Sequence, residues 1–169
     1  DGTTQDYEKA FEWMQNAADQ KHVDALYYLG VMYDHGHGVE KDEEHAIEHY
    51  HFAADRGHPG ALYQIGLFYS DVKGDDHKSF AFESFLRAAK EGHIESQYRV
   101  GVQYDEADGV SRNETKAHFW VRKAAYRGHL EAQAYLANMY HCGVGTERDI
   151  PESFVWYEKA ANQGHLESQ

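Results

Sequence analysis

Apolar positions in this chain repeat on two length scales. At short range the spacing is helical: between Asp42 and Gly57, the residues Ala46, Tyr50, Ala53 and Ala54 stand at i, i+4, i+7 and i+8, which predicts an amphipathic helix over 43–54. At longer range the whole pattern returns. The strings Ala17-Ala18-Asp-Gln-Lys-His22, Ala53-Ala54-Asp-Arg-Gly-His58, Ala88-Ala89-Lys-Glu-Gly-His93, Ala124-Ala125-Tyr-Arg-Gly-His129 and Ala160-Ala161-Asn-Gln-Gly-His165 follow one another at 36, 35, 36 and 36 residues. A period of this size marks a two-helix unit that buries its apolar face only by stacking on its own copies.

The ends of each helix are readable. Gly57, Gly92, Gly128 and Gly164 stand where a left-handed residue closes a helix, and Lys21 is the exception in the first copy. A first-type helix follows each turn, over 24–33, 60–69, 95–104 and 131–140, and ends in a loop at Gly36 to Gly38, Gly74, Gly109, or Gly143 to Gly145. A lone second-type helix is expected over 6–18. Small residues recur in two rows, Ala25/Ala61/Ser96/Ala132 and Gly30/Gly66/Gly101/Ala137. Glycine inside a helix costs about 1 kcal/mol relative to alanine, so its repetition implies close helix contact. Leu29, Ile65, Val100 and Leu136, then Tyr33, Tyr69, Tyr104 and Tyr140, supply the large core partners.

Composition narrows the partners. Sixteen Lys and Arg against 29 Asp and Glu give a net charge of −13, and no basic face recurs in the repeats, so nucleic acid and anionic lipid are not expected to bind. The apolar content of 41% can build a core, yet no apolar run approaches the roughly 20 residues of a membrane span. A soluble chain without membrane insertion is expected. No basic-then-apolar leader is visible at Asp1, and the single Cys142 rules out an internal disulfide framework.

The unit Ala25-Leu-Tyr-Tyr-Leu-Gly-Val-Met-Tyr33, with Gly36-His-Gly-Val39, Asp42, Ala46, Tyr50 and Ala53-Ala54-Asp-Arg-Gly57, resembles the Sel-one-like repeat (SLR) family, relatives of the tetratricopeptide repeats. The match runs through nearly the whole chain. It departs where one residue is missing between Gly74 and Ala81, and where the glycine loop decays to Val72-Lys-Gly74 and Ala107-Asp-Gly109. The resemblance implies an all-α fold, a right-handed α-solenoid of stacked antiparallel helix pairs with a period of about 36 residues, acting as an adaptor or scaffold for other proteins. This chain lacks the cysteines of the family's disulfide-bearing branch. The units expected are a half repeat at 1–22, repeats at 23–58, 59–93, 94–129 and 130–165, and the start of another at 166–169. With no polar capping unit at either end, the chain reads as a section of a longer array.

About 180° from the core stripe of a first helix lies the face that, by resemblance to tetratricopeptide arrays, lines the concave groove. It carries Tyr27, Tyr63 and Tyr98, then Val31, Leu67 and Val102, bordered by Asp34, Asp71, Glu95 and Asp105. An aromatic track with an acidic rim suits a basic or amphipathic protein segment or peptide. The alternative is that these tyrosines only pack.

Two histidine patterns stand out. His22, His58, His93, His129 and His165 recur once per turn and read as structural. His45-Ala-Ile-Glu48-His49 matches the H-x-x-E-H string of inverted zinc proteases, in which two histidines hold zinc and the glutamate activates water. Position 49 aligns with Trp13, Trp120 and Trp156, however, so His49 replaces a packing aromatic, and a third ligand and an enclosed cleft are missing from the pattern. Asp34-His35-Gly-His37 and His141-Cys142 read as solvated loop and helix end. No phosphate-cradling glycine loop opens a helix. The chain is expected to be non-enzymatic and to need no cofactor; the alternative is a zinc hydrolase built on His45, Glu48 and His49.

Overall fold

The structure, a computed structural model, describes residues 2–164. His165 and the start of a further repeat at 166–169 lie outside the described residues. Among the described residues there are nine helices and no strand: α1 Gly2–Asp19, α2 Val23–His35, α3 Glu43–Ala54, α4 Pro59–Asp71, α5 Asp75–Lys90, α6 Ile94–Glu106, α7 Glu114–Tyr126, α8 Leu130–Cys142 and α9 Ile150–Asn162. Each helix expected from the pattern is present; α3 has the expected bounds, and the others run one or two residues further, or four at the start of α1. None of the described helices is long and apolar enough to cross a membrane.

The chain divides into two compact units, residues 1–67 and 68–169. In the first, α1 packs on α2 and α2 on α3; in the second, α5 to α9 pack each on the next. The two small rows and the aliphatic row form the core of both; of the tyrosine row expected beside them only Tyr104 is buried, while Tyr33, Tyr69 and Tyr140 are half-buried because their rings lie towards the loop end of each helix pair. Ala25 and Leu29 in the first unit, and Ser96, Val100, Ala132 and Leu136 in the second, are almost wholly buried. The row at Trp13 is less uniform, because Trp120 and Trp156 are buried while Trp13 on α1 is 67% exposed.

Gly30, Gly66 and Gly101 are buried, as the repetition implies. A Cβ on Gly101 would stand 2.5 Å from Val121 Cγ2 and 3.0 Å from the Val121 backbone nitrogen, so only glycine lets α6 and α7 approach this closely. The loops after first helices share one construction where they keep their full length. The backbone N–H groups of Asp42, Asn113 and Asp149 donate to the carbonyls of Tyr33, Tyr104 and Tyr140 at 2.8–2.9 Å. The same residues then cap α3, α7 and α9 by accepting N–H groups on their side chains. The shortened loop before α5 lacks that cap, and its Gly74 has φ 136° in place of the left-handed φ of 72° at Gly38. In the decayed loop, Ala107 itself takes the left-handed conformation, φ 60°.

Candidate interaction surface

Three of the histidines that follow the turns are helix caps. Nδ1 of His58, His93 and His129 accepts the backbone N–H of Ala61, Ser96 and Ala132 at 3.1, 3.3 and 3.2 Å. With Nδ1 occupied as an acceptor, the neutral ring carries its proton on Nε2. In His58 and His129 that second nitrogen faces a carboxylate of the preceding repeat. His129 Nε2 donates to Glu95 Oε2 at 2.7 Å, and His58 Nε2 lies 3.6 Å from Asp24 Oδ1. His22 makes no such side-chain cap.

These histidines also carry two tyrosines of the row. In the first unit, Tyr27 on α2 stacks on His58 with ring centroids 4.3 Å apart; in the second, Tyr98 on α6 lies 4.7 Å from His129. Both tyrosines therefore pack against the next turn, and both remain half-buried, with ring surface left to solvent. Val31, Asp34, Tyr63 and Leu67 in the first unit, and Val102, Glu95 and Asp105 in the second, are also half-buried, whereas Asp71 is exposed.

Within the second unit the expected residues gather around two hollows. Glu95, Tyr98 and Val102 line one of about 330 Å³, together with Phe85, Arg99 and Glu106. Asp105 lines a smaller one of about 170 Å³ with Tyr135, Asn138 and Met139. Tyr135, which the repeat pattern does not single out, donates its hydroxyl to Asp105 Oδ2 at 2.5 Å. Burial, and then this bond, push the Tyr135 hydroxyl well above its usual range. Burial likewise raises Tyr98, with Glu131, Glu95 and Glu106 adding to it.

The acidic rim is less free than its sequence suggests. Arg99 Nε reaches Glu95 Oε1 at 3.3 Å, Arg112 lies 3.4 Å from Asp105, and Lys78 lies 3.0 Å from Asp108. The hydrogen bond from His129 is the main cause holding the Glu95 carboxyl below the usual carboxylate range. The rim is thus partly neutralised by its own neighbours. Conversely, the structure does gather basic residues that are scattered in sequence: Arg122, Lys123 and Arg127 line a hollow of about 590 Å³ with Gln97 and Tyr126.

His45 and His49 share one helical face and both stack on Tyr33, with centroids 5.1 and 5.5 Å away. His45 Nδ1 is held by Asp42 Oδ2 at 2.7 Å; that hydrogen bond chiefly raises the His45 pKa, while burial lowers that of His49. Among the described residues, no group of three or more His, Cys, Asp or Glu is placed to hold a metal ion. The string thus gives the zinc-hydrolase alternative no support. His37 stacks on Tyr7 at 4.8 Å, and Cys142 lies 3.2 Å from Asn138 Oδ1, which accounts for these two side chains within the fold.

Helix pairs repeated at about 35 residues, with turn histidines linking one repeat to the next, define an α-helical repeat protein of the solenoid class. The family model described as Sel1 repeat matches residues 1–22, 23–58, 59–93, 94–129 and 130–165, and the chain belongs to the Sel1 repeat family. Among solved structures it is similar to c5321, a protective antigen of uropathogenic Escherichia coli displaying an SLR fold, at 32% identity and TM-score 0.89 over 96% of this chain and 35% of that one. It is also similar to a Sel1 repeat protein from Oxalobacter formigenes, at 34% identity and TM-score 0.89 over 96% of this chain and 48% of that one. The Helicobacter pylori cysteine rich protein B shares the fold at 19% identity and TM-score 0.59, over 76% of this chain and 92% of that one. The chain thus spans about a third and about half the length of the first two. No curated protein matches it. Proteins of this family typically serve as protein–protein interaction scaffolds.

Proposed function

We propose that the chain is a non-enzymatic scaffold that binds a partner protein or peptide on the tyrosine-bearing face of its first helices. Family membership supports the scaffold role. The observation that carries the surface is the hollow beside α6, where Tyr98 and Val102 offer apolar area next to Glu95 and Glu106. A half-buried aromatic held by its neighbours loses little further freedom on binding, which favours it as an anchor. Because Glu95, Asp105 and Asp108 already face cations, the rim serves orientation more than long-range attraction. The corresponding face in the first unit, with Tyr27, Val31 and Asp34, and Tyr63 and Leu67 on α4, is proposed to act in the same way.

The test pairs capture with measurement. Proteins retained from the native lysate by the wild-type chain are compared, by quantitative mass spectrometry, with those retained by Tyr98→Ala/Val102→Ala and by Tyr63→Ala/Leu67→Ala. A retained protein is then titrated calorimetrically. Loss of tenfold or more in affinity at unchanged helical content is the expected outcome. Full affinity in both double variants would remove the site from this face.

A further inference from the structure

We propose that the hollow between α6 and α7 in the second unit binds an acidic peptide segment of a partner protein, whose carboxylates are held by Arg122, Lys123 and Arg127 while Gln97 accepts one of its backbone N–H groups. This site is independent of the tyrosine-bearing face.

The cations of this unit differ in how they are paired. Lys78, Arg99 and Arg112 in the same unit each have a carboxylate within 3.4 Å. Among the described residues, no carboxylate pairs with Arg122, Lys123 or Arg127, although the chain as a whole carries −13. Their present contacts leave the charge unmet. Arg127 donates Nη1 to the Gly92 carbonyl, Lys123 lies 5.0 Å from the ring centres of Phe119 and Trp120, and Arg122 reaches the Tyr140 hydroxyl. All three side chains are exposed, and they converge on a hollow of about 590 Å³. Guanidinium groups at such a place offer forked donors that match carboxylate geometry.

Gln97 identifies the kind of anion. The chain contains its own control at Gln133, one repeat later. Both glutamines donate Nε2 to a helix-end carbonyl, Gln97 to Ala89 at 3.1 Å and Gln133 to Ala125 at 3.2 Å. Those bonds fix the amide orientation. Gln133 Oε1 then accepts Nε2 of Gln163 at 2.5 Å, so the later glutamine is satisfied. Thirty-six residues before Gln163 stands Arg127, which has turned to Gly92 instead. Gln97 is only 4% exposed, lines the hollow, and its Oε1 has no hydrogen-bond partner. A buried acceptor left open is destabilising, and only a donor relieves it. Inorganic phosphate and nucleic-acid backbones bring acceptors for the arginines but few donors for Gln97. A peptide with Asp or Glu side chains brings both. Tyr126, 67% exposed and edge-on to Trp156 at 4.9 Å, adds a flat apolar flank for its chain.

The probe is acetylated, amidated tetraglutamate, titrated into the isotopically labelled 169-residue chain, with the tetraglutamine analogue and inorganic phosphate as separate arms. Tetraglutamate is expected to shift the Tyr126 and Arg127 amides and the Gln97 side-chain amide saturably, and tetraglutamine to leave them in place. Arg122→Gln combined with Lys123→Gln should weaken tetraglutamate at least tenfold at unchanged circular dichroism. Gln97→Leu, which places the residue found at Leu26 and Leu62, should weaken it several-fold. Absence of saturable shifts with the wild-type chain overturns the proposal whatever the variants do. So does phosphate binding as tightly as tetraglutamate with Gln97→Leu indifferent, since the hollow would then be a plain anion site.

Discussion

Residues 1–67 hold four of the 16 Lys and Arg side chains and 13 of the 29 carboxylates, whereas residues 68–169 hold twelve and 16. The first unit covers its aromatic rings with other rings: Tyr27 on His58, Tyr33 on His45 and His49, and Tyr7 on His37. The second covers several of its own with cations, Lys123 over Phe119 and Trp120 and Lys159 over Trp156 at 3.8 Å. Beneath these coats the skeleton is the same. Each unit has buried small residues at helix contacts, glycine loops against the preceding helix, and a histidine cap at the turn. Repetition therefore constrains what is buried, and leaves each unit to choose its own surface chemistry.

The strongest way to break this comparison lies in the loops. Gly38 and Gly109 have φ of 72° and 71°, and a Cβ on either would overlap backbone, the Tyr7 carbonyl at Gly38 and the Lys78 carbonyl at Gly109. Gly38→Ala and Gly109→Ala should each cost about 2–5 kcal/mol, from left-handed strain and overpacking together. Urea unfolding followed by circular dichroism measures both. A large loss at one glycine and none at the other would show that the two units do not share a skeleton.

A finer difference is expected at the helix contacts. A Cβ on Gly30 would meet the ring of Tyr50 at 2.6 Å and one backbone atom, the Ala46 carbonyl oxygen, at 3.1 Å, whereas one on Gly101 would meet Val121 Cγ2 at 2.5 Å and two backbone atoms of α7, Val121 N at 3.0 Å and Ala117 O at 3.2 Å. Overpacking costs about 1–3 kcal/mol, and alanine regains about 1 kcal/mol of helix propensity. Gly101→Ala should therefore lower stability by about 1–2 kcal/mol, with Gly30→Ala closer to neutral. Equal midpoints for the two variants would contradict the ordering.

The smallest effect is set by pH. Burial lowers the pKa of His49 and His58 in the first unit and of His118 in the second, from an ordinary value near 6.5. A lowered histidine favours the neutral form when folded, so its contribution is complete above that value and is lost as pH falls. His45, raised by Asp42, acts in the opposite direction from an exposed position. From pH 7.5 to 5.5 the melting temperature should fall. Hydrogen exchange, corrected for its intrinsic rate, should show α3 losing more protection than α6. Greater stability at pH 5.5 would mean that the buried rings are not held neutral.

How much could be read in advance depended on whether a residue's role repeats. Ala25, Leu29, Ser96, Val100, Ala132 and Leu136 were legible as core because burial follows the helical period. Gly30 and Gly101 were legible because a helix-weakening residue recurred in register. The turn histidines showed their regularity without their task, since the Glu95–His129 bond joins residues 34 apart and exists only once the repeats stack. Neutralisation of Asp108 by Lys78, 30 residues away, was hidden for the same reason, whereas the Glu95–Arg99 pair stands at i, i+4 on α6 and is local. The basic hollow was invisible because the net charge masks three cations, and because the open oxygen on Gln97 reflects where the Arg127 side chain turns rather than its type.

The histidine at the turn also works as a two-ended connector. In His129 one ring nitrogen belongs to the helix it begins and the other to Glu95, in the module before it. A recombination event or a designed insertion that moves this module must therefore carry its upstream acid along, or supply another at the same register. The joint sets a simple condition on assembly at this point: the module can vary freely on its outward face, while the Glu95–His129 seam demands a matched acid and ring. A chimaera cut between Glu95 and His129 would inherit two sound modules and a mismatched splice.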